Sequence, residues 1–442
     1  MRSADGVRNL AAIVWRELAQ EQVPKPDFES VREHVSDFES AQKDSAEPDP
    51  GGLFVIVSAM GKTTNALEEV TDAFMGGSVD HALALTEKVE LMHREITDGL
   101  FGAEHIAAVD GLFTSLRHIL TTGRPTAADY DYWYDAIVSY GELVSTTIIS
   151  QYLSFAGLPN RWLDMRRCYI TDDRFREANI DFELSGARLR DEMGWQESLF
   201  IGQGFIGATA DGRTVTLGRE GSDYSAAVAA YLLDCRSVTI WKDVEGILNA
   251  DPRVFPDAVH IPELTYLDAV ELAYSGAQII HPKTIKPLQN KNIPLYVRPF
   301  ADPLKPGSVI KGEISTPIEV PILILKQNQV LISIRPNDFS FVLQEHVGEI
   351  ISHFESRLVK INLIQSSAVN LSLCVDASRT LGEVIDALDE SYRVVYNDGL
   401  QLLTIRGYTP SLLAGYEDRQ GVMLVQKTRR IARVVLRAGE LS

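Results

Sequence analysis

FIGQGFIGATADGRTVTLGREGSDYSAAVAAYLLDCRSVTIWKDVEGILNADP, residues 200–252, is the stretch on which the fold of this 442-residue chain depends. Residues 199–206 are apolar and punctuated by glycine, which predicts a buried strand. Asp211-Gly212 is typical of a hairpin turn, and residues 214–217 have the composition of the returning strand. A helix-forming segment follows at once, so the stretch predicts an α/β fold.

A tight loop, Gly218-Arg219-Glu220-Gly221, joins the hairpin to the predicted helix. We expect Ser222 to be the N-cap of this helix and Asp223 to lie in its first turn. Free backbone N–H groups and the positive end of the helix dipole favour an anion at such a loop. Arg219 can hold a carboxylate or phosphate with two hydrogen bonds. A solvated connection without a ligand is the alternative interpretation of a single loop of this kind.

Charged residues also follow the next predicted strand, residues 238–241. Lys242-Asp243 comes directly after this strand, and Asp251-Pro252-Arg253 lies a few residues further on. In open α/β sheets, ligands bind at the carboxyl ends of the strands. The density of glycine and charge at successive strand ends therefore favours a ligand site over a solvated loop.

The composition is that of a globular protein with a surplus of acidic residues. Lys and Arg number 42 against 61 Asp and Glu, which gives a formal net charge of −19 at pH 7. This balance argues against nucleic acid or an anionic membrane as the main partner. Cys168, Cys235 and Cys374 are far apart and show no metal-ligand spacing, and we find neither a signal peptide nor a membrane-spanning run. We therefore expect a cytoplasmic protein with reduced cysteines and no metal held by protein ligands alone.

A further strand is predicted at residues 53–59, where the sequence is strongly apolar. Thr64 lies in the polar loop that follows its carboxyl end. Gly61-Lys62 in this loop is not part of a P-loop, because the glycine that the motif requires five residues earlier is replaced by Ile56. The segment is therefore expected to be an ordinary strand, polar loop and helix.

Helical periodicity appears near the amino terminus, at residues 7–18, and again at residues 130–155. The second segment is predicted to be one long helix that carries Glu142. A lone glutamate on such a helix is most often a surface residue. Residues 168–171 are predicted to form a strand.

A segment rich in proline and glycine, residues 302–322, predicts a domain boundary. Residues 329–397 then show the order βαββαβ, which is common in modules that sense small ligands. Residues 402–436 begin a second unit of this kind, but only one short helix and two further strands are predicted after its first strand. We therefore expect the second unit to be abbreviated.

The ordered motifs of this chain resemble those of the aspartokinases, in the amino-acid-kinase superfamily. They are SAMGKTTNAL (58–67), SYGELVST (139–146), TDDRFREA (171–178), GFIGATADGRTVTLGREGSDYSAA (204–227), IWKDVEGILNADPR (240–253) and ELAYSGAQIIHPKTIKP (271–287). The carboxyl-terminal part resembles the paired ACT regulatory domains of the same family. The resemblance covers nearly the whole chain.

The resemblance implies a three-layer α/β/α sandwich with a mostly parallel sheet, followed by α+β regulatory domains of the ACT type. Residues 1–312 would be the catalytic domain, residues 320–400 one ACT domain, and residues 401–442 a second, abbreviated one. The implied activity is ATP-dependent phosphorylation, with Mg²⁺, of the side-chain carboxylate of L-aspartate. Its product, 4-phospho-L-aspartate, leads to lysine, threonine and methionine. The implied partners are an amino-acid effector at the ACT domains and a second copy of the chain.

Site residues are also implied by the resemblance. Phosphoryl transfer depends on positioning and charge stabilisation, which suits the cations and helix terminus of this loop. Arg219 and Asp223 would be the catalytic pair, with Arg219 holding a substrate carboxylate. The aspartate site would comprise Thr64, Glu142, Arg219, Ser222 and Asp223, with its acids facing the substrate ammonium. The nucleotide site would comprise Lys242, Asp243, Arg253 and Gln278.

Two departures from the family pattern bear on activity. Family members begin with a strand and Lys-Phe-Gly-Gly-Thr-Ser, whose lysine and glycines hold the transferring phosphate, and these 442 residues do not contain that segment. Gln278 stands where the family often has a lysine. We therefore expect little kinase activity from this chain by itself. A catalytically inactive, amino-acid-binding regulatory homologue is the alternative function.

Overall fold

The computed structural model describes residues 1–20, 52–102, 106–194, 197–277, 280–315, 317–337 and 344–439. The chain divides into two compact units. The first comprises Met1–Asp243 and Lys283–Pro306, and the second comprises Val244–Pro282 and Gly307–Ser442. The expected boundaries of the catalytic domain, at residue 312, and of the two ACT domains, at residues 320 and 400, stay a prediction.

Helices and strands alternate through the first unit, and strands dominate the end of the chain. The helices, in chain order, are α1 Ala4–Gln20, α2 Thr63–Met75, α3 Val79–Phe101, α4 Ala107–Thr122, α5 Tyr130–Val138, α6 Tyr140–Phe155, α7 Met165–Cys168, α8 Phe182–Met193, α9 Gly221–Leu232, α10 Tyr266–Ser275, α11 Pro282–Lys291, α12 Gln344–Ser356, α13 Leu381–Asp389 and α14 Pro410–Glu417. The strands are β1 Leu53–Val57, β2 Arg161–Leu163, β3 Ile170–Thr171, β4 Leu199–Gln203, β5 Ile206–Thr209, β6 Thr214–Thr216, β7 Val238–Lys242, β8 Ile247–Leu248, β9 His260–Ile261, β10 Glu263–Thr265, β11 Leu295–Pro299, β12 Ser308–Lys311, β13 Ile322–Pro336, β14 Ile361–Ser366, β15 Leu371–Asp376, β16 Tyr392–Arg406, β17 Val422–Lys427 and β18 Ile431–Arg437.

A parallel sheet with the strand order β1-β4-β2 lies in the first unit. Leu53 pairs with Leu199, and Arg161 pairs with Phe200. All five residues of the middle strand, β4, are buried, as expected for a parallel strand that is covered on both faces. Buried apolar residues of α1, α2, α3, α4 and α6 form one cluster with β1 and β4. The α/β class, the parallel sheet and the opening helix are therefore confirmed.

The strand predicted for residues 199–206 is in fact two strands, β4 and β5. Phe205 lies between them in the left-handed region, with φ 66°. Its N–H donates a hydrogen bond of 2.9 Å to the hydroxyl of Ser225, so the chain turns there instead of continuing straight. The hairpin predicted around Asp211-Gly212 is confirmed, because β5 and β6 pair in antiparallel orientation on either side of it.

The long helix predicted for residues 130–155 is interrupted at Ser139, where α5 ends and α6 begins. The Ser139 hydroxyl donates to the carbonyl oxygen of Ala136 at 3.1 Å. In a continuous helix that carbonyl would accept from the amide of Tyr140. The local side-chain hydrogen bond therefore competes with the helical ladder at the point of the break.

The strand predicted for residues 168–171 is also shorter than expected. Cys168 is the last residue of α7, and β3 begins only at Ile170. α7 begins at Met165 because Asp164 is its N-cap, with a side-chain oxygen that accepts from the amide of Arg166 at 3.1 Å. A capped single turn thus replaces the first half of the predicted strand.

An antiparallel sheet with the strand order β14-β15-β13-β16-β18-β17 dominates the second unit. The βαββαβ order predicted from residue 329 is present as β13, α12, β14, β15, α13 and β16. The two segments predicted as separate strands at 392–397 and 402–406 are one long strand, β16.

The first residues of β13 belong to the second half of this sheet. Ile322 pairs with Arg406, so the early part of β13 lies beside the late part of β16. Each half then has the same order of four strands, β14-β15-β13-β16 in one and β17-β18-β16-β13 in the other. The second half is therefore short of a helix but not of a strand, because β13 and β16 belong to both halves. The division into units at residue 400 stays a prediction.

None of the helices in the described ranges combines the length and the apolar character that crossing a bilayer requires.

Gly204 provides a test of the turn between β4 and β5. A Cβ atom at this position would lie 2.4 Å from the hydroxyl oxygen of Ser222 and 2.7 Å from its Cα. We expect Gly204→Ala to lower the free energy of unfolding by about 1–3 kcal/mol, since the backbone must move to remove the clash. Urea denaturation followed by circular dichroism measures this change.

Gly111→Ala is the matched control. Gly111 lies on the exposed face of α4, and no atom comes within 4 Å of a Cβ placed there. This change should be neutral or stabilise the protein by up to about 1 kcal/mol through helix propensity. Equal stability of the two variants would contradict the packing described for Gly204.

Candidate functional site

A cleft of about 530 Å³ lies in the first unit, at the carboxyl ends of β1, β6 and β7. Six of the nine predicted site residues line it, and both signs of charge meet there. The lining residues are Ser58, Thr64, Tyr134, Glu142, Arg176, Phe205, Thr216, Gly218, Arg219, Glu220, Gly221, Ser222, Asp223 and Lys242. Its position agrees with the general location of ligands in α/β sheets.

The loop from Gly218 to Gly221 brings the amino terminus of α9 to this cleft. Gly218 and Glu220 both lie in the left-handed region, with φ 78° and 53°, so the chain reverses within a few residues. α9 begins at Gly221, which means that Ser222 is inside the first turn and the prediction of Ser222 as N-cap was wrong. The left-handed Glu220 occupies the cap position instead, and this leaves the Ser222 side chain among the cleft-lining groups.

Ser225 fixes this helix start to the turn between β4 and β5. Its buried hydroxyl accepts from the amide of Phe205 at 2.9 Å and donates to the carbonyl of Gly221 at 2.8 Å. Gly221 itself approaches Phe205 so closely that a Cβ there would lie 2.6 Å from the ring. Two segments that line the cleft are therefore held in one fixed arrangement.

Arg219 projects its charge from the loop. The residue is exposed, and its guanidinium makes no hydrogen bond or ion pair with any residue in the described ranges. A planar guanidinium in this state presents a fork of donors that matches a carboxylate or a phosphate. The geometry supports the predicted role of an anion-binding residue.

Asp223 and Lys242 form an ion pair across the cleft, with 3.0 Å between Oδ2 and Nζ. Burial raises the pKa of Asp223, and the neighbouring ammonium of Lys242 opposes this rise. Asp223 lies in the first turn of α9, as predicted, and Lys242 is the last residue of β7. The two predicted sites, for substrate and for nucleotide, therefore meet at this pair.

Glu142 is almost fully buried on α6, contrary to the surface position that a lone glutamate usually takes. One carboxylate oxygen accepts from the amide of Ala59 at 3.2 Å. The other has no hydrogen-bond partner among the described residues. Burial raises the pKa of Glu142 to about 8, so that the side chain is mostly neutral at pH 7. A cation that enters the cleft beside it would favour ionisation.

Three predicted residues are not among those that line the cleft. Asp243 is exposed beyond the end of β7. Arg253 lies in the second unit, where its guanidinium pairs with Asp251 at 2.7 Å. Gln278 lies outside the described residues. Their assignment to a nucleotide site stays a prediction.

Two cleft residues, Arg176 and Thr216, depend on a buried carboxylate that sequence reasoning missed. Asp135 on α5 accepts hydrogen bonds from the amides of Arg176 and Thr216, both at 2.8 Å, and from the Thr216 hydroxyl at 2.6 Å. Burial raises the pKa of Asp135 to about 6 against the lowering effect of these donors. The polar partners are distant in sequence, so no local signal marked Asp135. Arg176 lies in the motif TDDRFREA, residues 171–178, but the resemblance implied no role for it.

Within the described ranges, no group of three or more His, Cys, Asp or Glu side chains is arranged to hold a metal ion.

Comparison with known proteins places this architecture in a family. The model of the amino acid kinase family matches residues 24–299. The lysine-sensitive aspartokinase 3 of Escherichia coli is 33% identical over 293 residues, which are 64% of this chain and 65% of the relative. The aspartokinase of Chlamydia trachomatis is 32% identical over 298 residues, which are 67% of each protein. The chain is an aspartokinase-family member of the amino acid kinases.

Solved structures agree with this membership. Two crystal structures of E. coli aspartokinase III, one in complex with lysine and aspartate and one with aspartate and ADP, match this fold with a TM-score of 0.71. The match covers 87% of this chain and 89% of theirs at 26% identity. By sequence, this aspartokinase-family chain spans 65% of the length of the E. coli relative. The predicted membership, which rested on six motifs, is confirmed.

Glu142 provides a test of the electrostatics of the cleft without any ligand. Its pKa is raised from 4.5 to about 8 in the folded protein, so folding favours the protonated form. Its contribution to stability is complete below pH 4.5 and declines by about 1.4 kcal/mol per pH unit until pH 8. The free energy of unfolding should therefore fall over this range by more in the wild type than in Glu142→Gln, which cannot ionise.

Urea denaturation of both proteins at pH 5, 6, 7 and 8 measures this difference. Glu69→Gln is the matched control, because Glu69 is exposed on α2 and its stability profile should parallel that of the wild type. Parallel profiles for all three proteins would contradict the buried, protonated state of Glu142.

Proposed function

We propose that this chain is an aspartate kinase, which transfers a phosphoryl group from ATP to the side-chain carboxylate of L-aspartate to give 4-phospho-L-aspartate. The observation that carries the proposal is the composition of the cleft. Among the described residues, the guanidinium of Arg219 has no hydrogen-bond or ion-pair partner, and one oxygen of the buried Glu142 carboxyl has no hydrogen-bond partner either. L-Aspartate carries the complementary groups, two carboxylates and one ammonium.

Arg219 would bind a carboxylate of aspartate through two parallel hydrogen bonds. Glu142 and Asp223 would face the ammonium, whose charge would lower the pKa of Glu142 and drive its proton into solvent. Thr64 and Ser222 line the same cleft and supply hydroxyl groups that can bond the carboxylates. Holding the acceptor carboxylate in one orientation is a large part of what catalysis of phosphoryl transfer requires.

Lys242 lies at the cleft end of β7 and would contact the phosphates of ATP, releasing Asp223 for the substrate ammonium. Asp243 and Arg253 are proposed as further nucleotide contacts, together with Gln278. Mg²⁺ is proposed as the companion of ATP. It is commonly bound through substrate phosphates and one or two carboxylates, which suits a cleft that offers single acids. When bound, the ion would neutralise charge on the transferring group.

The carboxyl-terminal sheet is proposed as the regulatory part, divided as residues 320–400 and 401–442 after a catalytic domain at 1–312. Its βαββαβ order is typical of modules that bind small effectors, and an amino acid is the proposed effector. One crystal structure of the E. coli relative contains lysine as well as aspartate. We further propose a cytoplasmic location and a role in lysine, threonine and methionine biosynthesis.

Arg219→Ala tests the substrate assignment. Loss of a charged, two-fold hydrogen bond should weaken aspartate binding by about 2–3 kcal/mol and leave ATP binding nearly unchanged. Isothermal titration with each ligand, and an assay that couples ADP release to product formation, measure both effects. Arg188→Ala is the control, since Arg188 is exposed on α8 and is not among the cleft-lining residues.

Unchanged aspartate affinity in Arg219→Ala would refute the assignment of this residue. Aspartate binding by the wild type without ADP release would instead support the inactive, amino-acid-binding homologue.

A homodimer is proposed from an open edge of the regulatory sheet. β16 pairs with β18 only from Leu400 onward, so residues 392–399 have no strand on that side within the described structure. Val395 and Tyr396 on this segment are 54% and 52% exposed. Open strand edges with large apolar side chains are usually covered by a partner.

Sedimentation velocity of the full chain should show a dimer at micromolar concentration, and Val395→Lys should shift it toward monomer. Leu184→Lys is the control, because Leu184 is similarly exposed on α8 of the first unit. A wild type that stays monomeric, or a dimer that Val395→Lys leaves intact, would contradict pairing through this edge.

A further inference from the structure

Arg176 has an unusual backbone conformation beside the cleft. It lies in the left-handed region, with φ 68°, although it is not glycine. That region is disfavoured for residues with a Cβ, and such strain is most often found at functional sites. The strained backbone therefore suggests that the arginine side chain has a function at this position.

A dedicated contact holds this conformation in place. The amide of Arg176 donates to Oδ2 of Asp135 at 2.8 Å, and Asp135 is fully buried. The same carboxylate oxygen accepts from the amide of Thr216, a cleft residue on β6. Asp135 thus connects two segments through hydrogen bonds. One is the turn that contains Arg176, and the other is β6, which precedes the Arg219 loop.

The side chain of Arg176 lies across an aromatic wall of the cleft. Its guanidinium carbon is 4.3 Å from the centroid of the Tyr134 ring and 5.8 Å from that of Tyr130. Stacking on a ring fixes the guanidinium plane and leaves the N–H groups at its edge available. Its one ion-pair partner among the described residues is Asp131, at 3.4 Å, and both side chains are about half exposed. Such a pair is weak and leaves most of the charge free to act on a ligand.

Two contacts place Arg176 on the side of the cleft assigned to the amino acid. The hydroxyl of Tyr134 donates to Glu68 at 2.6 Å, and Glu68 lies one helical turn after Thr64 on α2. The carbonyl oxygen of Arg176 lies 3.2 Å from the point that a Cβ of Gly218 would occupy. The Arg176 turn therefore packs directly against the loop that carries Arg219.

We propose that Arg176 is a second substrate-positioning residue, which binds the carboxylate of the dicarboxylic amino acid that Arg219 does not bind. The inference rests on the proposed function, since it assumes that the cleft binds aspartate. Two guanidinium groups on contacting loops match the two carboxylates of one small substrate. The pair would favour a dicarboxylic amino acid over one with a single carboxylate, because each missing carboxylate leaves one arginine without its partner.

Arg176→Gly tests the proposal with little risk to folding, because glycine adopts a φ of 68° without strain. We expect the Kd for aspartate, measured by isothermal titration, to rise about 10- to 100-fold, the loss typical of hydrogen bonds to a charged group, while the Kd for ATP and the melting temperature stay within error of the wild type. Arg213→Ala is the control. Arg213 also stacks on an aromatic residue, Phe175 at 5.3 Å, but is not among the cleft-lining residues, so the Kd of this variant for aspartate should not change.

A second measurement separates a binding role from a structural one. L-Asparagine retains only the α-carboxylate of aspartate, and L-isoasparagine retains only the side-chain carboxylate. If each arginine binds one carboxylate, Arg176→Gly and Arg219→Ala should each weaken the binding of one probe and spare the other, in opposite patterns. Titration of both variants with both probes gives this pattern directly.

An unchanged Kd for aspartate in Arg176→Gly would overturn the proposal, and so would the loss of binding of the same probe in both variants. Either result, with Arg219→Ala still impaired in aspartate binding, leaves the proposed function intact. A wild type that neither binds nor phosphorylates aspartate would refute the proposed function itself.

Discussion

The hydroxyl of Ser225 makes the contact on which the geometry of the cleft depends. It accepts from the amide of the left-handed Phe205 and donates to the first carbonyl of α9, so one buried group satisfies a donor and an acceptor at two bends of the chain. Without this hydroxyl, the amide of Phe205 would lose its hydrogen-bond acceptor at the bend between β4 and β5. Because the bends are tied together, the loop that carries Arg219 has a fixed base.

Charge inside the cleft is arranged by burial as much as by pairing. Glu142 is kept neutral by its surroundings, whereas Asp223 is held beside Lys242. Water is largely excluded around the first of these groups, which makes it sensitive to any cation that approaches. Without a ligand, the cleft thus has an exposed positive charge on Arg219 and a neutral carboxyl on Glu142 that can ionise when a cation binds.

The sequence was informative at most of the places where local chemistry decides the structure. Glycine and aspartate marked the hairpin, and the apolar run at β1 was correctly taken as a strand. It failed where a distant partner decides. Phe205 turns because a serine on the following helix accepts its amide. One local contact was missed as well, because the Ser139 hydroxyl competes for the Ala136 carbonyl at the break between α5 and α6.

For the candidate site too, residues marked by local sequence were predicted, and residues that depend on distant contacts were missed. Arg219 and Asp223 were found from the loop and helix that carry them. Asp135 was missed, since its importance lies in contacts with Thr216 and Arg176, which no periodicity brings together. The burial of Glu142 was likewise invisible, because a single glutamate on an amphipathic pattern is usually solvated.

The sharing of β13 and β16 between the two halves of the carboxyl-terminal sheet has a consequence for how this part of the chain folds. Residues 322–326 emerge first from the ribosome but pair with residues 402–406, on the far side of the entire first half. Such non-local pairing raises the contact order and slows folding. Because β13 and β16 belong to both halves, neither half has its four strands without residues of the other. A displacement of β13 or β16 in one half would also move the same strand in the other half, because each strand is continuous through both.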